Sequence, residues 1–217
     1  MKKVLFSLGL LVSFTFAAVA QSAKYAGTMQ EKIAAVDSVR SEQGLLDLSA
    51  AFERIGDAEK TQWLPYYYAA LAQVNSAYMT GMQNMNAKKV DPVADKAEAL
   101  LQKAEALEKN NSEIFIVKKM IASLRMMGDP MNRFMTYGPL AAEALQTART
   151  LNPANPRAFL LEGQDKFFTP EQYGGSKSEA KRLFEEALKK YETFQPASPL
   201  DPVWGKKTAQ YFLSQIK

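Results

Sequence analysis

The pattern that most restricts this chain is a triplet of small and bulky residues that occurs three times. Ala97–Leu101–Ala104, Ala141–Leu145–Ala148 and Ala180–Phe184–Ala187 each set Ala, a large apolar residue and Ala at i, i+4 and i+7. That spacing lies on one face of an α-helix. Alanines there let a neighbouring helix come close, and the large residue fills the space between them. Phe115 follows Ala104 by eleven residues, and Phe159 follows Ala148 by eleven. Each such helix is therefore trailed at a constant distance by another that carries an aromatic near its start. Pro153 after Asn152 ends the middle helix, and Asn155-Pro156 offers an N-cap and first residue for its successor. Tandem helical hairpins satisfy this recurrence; a sheet does not.

The remaining periodicity completes an all-α chain of about nine helices. Met29, Ile33 and Val36 form a one-sided stripe, and so do Leu45, Leu48, Phe52 and Ile55, with Gly56 expected as a C-cap. Trp63-Leu64-Pro65-Tyr66-Tyr67-Tyr68 opens a third helix that Gly81 ends. Asp91-Pro92 reads as the start of the fourth, Gly138-Pro139 of the sixth, Ser178 as the N-cap of the eighth, and Asp201-Pro202 of a capping helix over about 202–216. The fifth, Glu113–Met127, is apolar on more than one side and should lie between neighbours. Connections between hairpins are short (Lys109–Ser112, Asn152–Asn155), whereas those inside them, Gly81–Asp91, Gly128–Gly138 and Thr169–Lys177, are expected to be long loops.

The recurrence resembles the tetratricopeptide (TPR) repeat over roughly Leu45–Lys217. Gly163 and Phe159 fall where that repeat favours Gly and a large aromatic. The resemblance implies a right-handed stack of antiparallel helix hairpins, a TPR-like α-solenoid, whose usual role is to bind proteins or peptides. It is degenerate: the triplets start 44 and 39 residues apart against a TPR period of about 34, and Lys109 stands where Pro is expected. Trp204 looks like the first helix of one more repeat, used as an end cap.

Residues 1–20 read as a cleaved signal peptide: Lys2 and Lys3, an apolar run Val4–Phe16, then Ala18-Val19-Ala20. Residues 21–217 form one domain in this reading, exported to the periplasm or secreted. No Cys is present to take a lipid, so no stable membrane anchor remains after cleavage. The formal charge of +4 falls to +2 without Lys2 and Lys3, and the other Lys pairs are balanced by nearby acids. A nucleic-acid partner is not expected.

The chain has no His and no Cys, which removes the commonest general base, metal ligand and thiolate nucleophile together. Ser178-Glu179-Ala180-Lys181 matches S-x-x-K but lacks its companion motifs. Gly174-Gly175-Ser176-Lys177 lacks the first Gly and the strand of a phosphate loop. The Met groups, Met79/Met82/Met85 and Met126/Met127/Met131/Met135, are better read as packing or contact surfaces than as copper ligands. No enzyme, metal or cofactor is expected.

In stacked hairpins the within-hairpin loops share one edge, and insertions there often mark the working face. The expected function is that of a non-catalytic adaptor for a protein or peptide of the cell envelope. It would grip its partner with a rim of Met82, Met85, Met131, Phe134, Met135, Tyr137 and Tyr173, and with Arg157 and Gln164 in the groove; Lys118 and Met120 are further groove candidates. The alternative is a small-ligand or glycan-binding module built on Trp63, Tyr66, Tyr67 and Tyr68, the densest aromatic cluster.

Overall fold

A computed structural model describes residues 24–216, apart from residues 37, 82 and 83. The expected signal peptide and the candidate Met82 lie outside the described residues. Among the described residues, nine α-helices follow one another: α1 (24–36), α2 (Glu42–Glu59), α3 (Trp63–Met79), α4 (Ala87–Leu107), α5 (Ser112–Gly128), α6 (Pro130–Leu151), α7 (Pro156–Phe168), α8 (Lys177–Thr193) and α9 (Lys206–Ser214). One 3-10 turn, Glu171–Tyr173, precedes α8. No strand occurs among the described residues. From α2 to α6 each helix packs on the next, and α7, α8 and α9 do the same.

Short polar side chains start most of these helices. Ser41, Asn86, Asn111, Asn155 and Ser176 accept hydrogen bonds from the backbone N–H groups of Gly44, Lys89, Glu113, Arg157 and Glu179. Each satisfies a donor that the first helical turn leaves open. All nine residues of the three Ala–bulky–Ala triplets are buried. The main core runs through α1 to α7 and reaches Leu200, and a smaller one joins α7, α8 and α9 around Leu160, Phe184 and Ala209.

Several expected boundaries move. Gly56 is no C-cap but an interior residue of α2, and a Cβ there would meet the Tyr66 ring at 2.7 Å. Pro92 and Pro139 lie inside α4 and α6, not at their starts. Each removes one helical hydrogen bond, but the helix begins earlier, capped by Asn86 or led by Pro130. The stretch Gly128–Gly138 is consequently no long loop. It is the end of α5 and the first turns of α6. Ser176, not Ser178, caps α8. Asp201-Pro202 belongs to the connection before α9, where Asp201 accepts from the Ser198 N–H.

Candidate functional site

One face of α5 carries Phe115, Lys118, Ile121, Ala122 and Arg125, at the three-to-four spacing that aligns residues along a helix. α4 raises one wall with Glu98, Leu101, Gln102 and Glu105, and α6 the other with Tyr137, Leu140, Glu143, Ala144 and Thr147. Together they enclose a cleft of about 340 Å³, within the ~300–1,000 Å³ of small-molecule sites. Arg133 pins the start of α6 to α4 by a two-pronged hydrogen bond to Asp91, at 2.6 and 2.8 Å. This holds the two walls together one turn before Tyr137. Arg133 also holds the Asp91 carboxyl below its ordinary pKa, mainly by donating these bonds.

The middle of the cleft is apolar, and cations stand at both ends of its floor. Lys118 sits 4.6 Å above the Phe115 ring and donates to Glu105 at 2.5 Å. Arg125 meets Asp95 and Glu98 through Nη2, at 2.8 and 2.6 Å. Burial works against the Arg125 charge, but hydrogen bonds to the two acids outweigh it and raise its pKa.

Most sequence-derived candidates lie elsewhere. Tyr67, Tyr68 and Arg157 are buried in the interior. The Tyr67 hydroxyl donates to Glu113 at 3.2 Å and accepts from Trp204 Nε1 at 2.9 Å, and Tyr68 donates to the Leu200 carbonyl at 2.8 Å. Tyr66 is buried and donates to Asp57 at 2.8 Å. Trp63 is half-buried, edge-on to Tyr67. The three tyrosines of this cluster are buried, with their hydroxyls matched inside the protein. Arg157 is no groove residue either, because its guanidinium is spent on Glu113.

Of the expected rim, Met131, Phe134 and Met135 are exposed but helical, and Tyr173 is exposed on the 3-10 turn. Met85 is half-buried against the main core. Gln164 is half-buried on α7, and Met120 is buried. Among the described candidates, only Tyr137 and Lys118 line the cleft. Leu101, Ile121, Ala122, Arg125, Leu140 and Ala144 are the lining residues that the sequence does not mark as a site. Leu101 reads as the bulky member of the first triplet and Ile121 as part of the broad apolar surface of α5, both of them packing signals.

Among solved structures, the chain is similar to the HusA haemophore from Porphyromonas gingivalis. The two are 34% identical, with a TM-score of 0.78, over 89% of this chain and 92% of that one. The chain belongs to the HusA haemophore family. No family model matches it, nor does any curated protein.

This kinship overturns the expectation of an adaptor for a protein or peptide, because the related protein is named for carrying a small molecule. The small-ligand class, weighed as the alternative, agrees with it better. A haemophore is a carrier, not a catalyst, so the chain is non-catalytic. No helix among the described residues is long and apolar enough to cross a membrane.

Proposed function

We propose that this protein is an exported haem carrier that holds the porphyrin in the cleft between α4, α5 and α6. The observation that supports the site is the cleft's apolar centre, Leu101, Ile121, Ala122, Leu140 and Ala144, flanked by Lys118 and Arg125. A tetrapyrrole is a flat apolar disc with acidic groups at one edge. Laid on α5, it gives up water from its faces at about 25 cal/mol per Å² of apolar area. Tyr137 offers an aromatic surface on one wall, suited to offset or edge-on ring contact.

The chain has no His or Cys, and no Met among the described residues lines the cleft. Recognition in this account therefore rests on the ring and its edge rather than on an iron bond, with Tyr137 the one phenol within the cleft. In this reading the hairpin stack is of tetratricopeptide type, with the cleft formed where α4 and α6 flank α5. Export places the carrier in the periplasm or outside the cell.

Titration of the mature protein with haem, followed by the visible absorption band of the porphyrin, tests the function. Saturable binding that weakens about tenfold in Leu140→Asp, a change of about 1.4 kcal/mol, supports it. Leu140 is 48% exposed, so this substitution spares the core. No saturable spectral change in the unaltered protein would refute the proposal.

A further inference from the structure

Resting on the haem-carrier reading, we infer that Lys118 and Arg125 form a two-point carboxylate clamp that selects porphyrins bearing a pair of acidic side chains on one edge. The two residues are seven apart on α5 and return to nearly the same face, about 10 Å apart along the axis. Both line the cleft at opposite ends of its apolar floor. A ring seated on Ile121 and Ala122 thus has a cation within reach of each flexible carboxylate arm.

The clamp is preloaded by acids from α4. Both Asp95 and Glu98 meet Arg125 through Nη2, and a guanidinium carries five N–H donors in all. Lys118 gives one of its three donors to Glu105. These acids hold two long side chains at the cleft, and so reduce the ordering that binding must impose. They also compete with any arriving carboxylate for the same donors. The arrangement therefore has a signature that a structural ion pair lacks: removing the acid should strengthen binding, while removing the cation should weaken it.

The test compares protoporphyrin IX with its dimethyl ester, which has the same ring without ionised carboxylates, on the mature protein. The diacid should bind about tenfold more tightly than the diester, equivalent to about 1.4 kcal/mol. Arg125→Gln and Lys118→Gln should each erase most of that preference without changing affinity for the diester. Glu98→Gln should tighten the diacid alone. Equal affinities for diacid and diester, unaltered in Arg125→Gln, overturn the clamp and leave the carrier standing. Failure of the unaltered protein to bind either porphyrin overturns the carrier reading, and the clamp with it. The ligand comparison needs no substitution, so misfolding of a variant cannot mask the result.

Discussion

Arg157 of α7 and Glu113 of α5 face each other inside the protein, guanidinium to carboxylate, with Nη2 to Oε1 at 2.6 Å and Nε to Oε2 at 2.8 Å. Asn155 adds a hydrogen bond to Glu113 at 2.6 Å, and Tyr67 of α3 another at 3.2 Å. Trp204, in the connection before α9, donates to Tyr67. Three hairpins and the C-terminal segment thus meet at one buried charge pair. Desolvation opposes the Arg157 charge, yet Glu113 beside it keeps its pKa above the ordinary value.

Breaking that pair from one side should be severe. Arg157→Met leaves a carboxylate without its counter-charge in the interior, at a cost of about 3–5 kcal/mol. Urea unfolding should show a correspondingly lower midpoint. Glu113→Leu combined with Arg157→Met should recover part of the loss, since neither charge is then stranded. A single variant as stable as the parent would show that water reaches the pair.

Gly163 and Gly27 should respond oppositely to alanine. A Cβ at Gly163 would lie 2.6 Å from the Phe184 ring, inside the smaller core. Gly163→Ala should therefore destabilise by about 1–3 kcal/mol through overpacking. Gly27 is helical, with nothing within 4 Å of its would-be Cβ. Gly27→Ala should raise stability by about 0.5–1 kcal/mol. Thermal melts of the two variants decide this, and equal effects would contradict the close α7–α8 approach.

High pH should loosen the fold. Burial, aided by nearby acids, pushes the Tyr25 phenol up to about 12, and burial likewise raises Tyr66, Tyr67 and Tyr78. Unfolded tyrosines ionise near pH ~10. Above that point the unfolded chain gives up protons that the folded chain keeps, so stability present below it falls as pH rises. Melting temperatures should decline from about pH 10 upward, with tyrosinate absorbance appearing as the protein unfolds. A melting temperature that is level through about pH 11 would mean that these hydroxyls are already hydrated.

The scaffold was legible because its signals are local. Each Ala–bulky–Ala triplet lies within eight residues, and Gly163 beside Phe184 explains the small residue that the repeat favours. Helix starts were read less well. Pro92 and Pro139 suggested starts that Asn86 and Pro130 take instead, so an apparent loop became the helical arm bearing Met131, Phe134 and Met135. The aromatic run Tyr66–Tyr68 reads as a ligand site in sequence, but its hydroxyls are matched to Asp57 of the preceding helix and to Glu113 and Leu200 from distant segments. The cleft was not legible. Its lining spans Glu98 to Thr147 on three helices, and no local pattern joins those residues.

The most direct test of the account is where a porphyrin touches the folded protein. Amide and methyl NMR shifts recorded while metal-free, diamagnetic protoporphyrin IX is added should move most at Leu101, Ile121, Ala122, Tyr137, Leu140 and Ala144, the cleft of α4, α5 and α6. The residues around Trp63 and the α8–α9 end should stay nearly still. Shifts centred on either of those regions, or no shifts at all, would contradict the central claim.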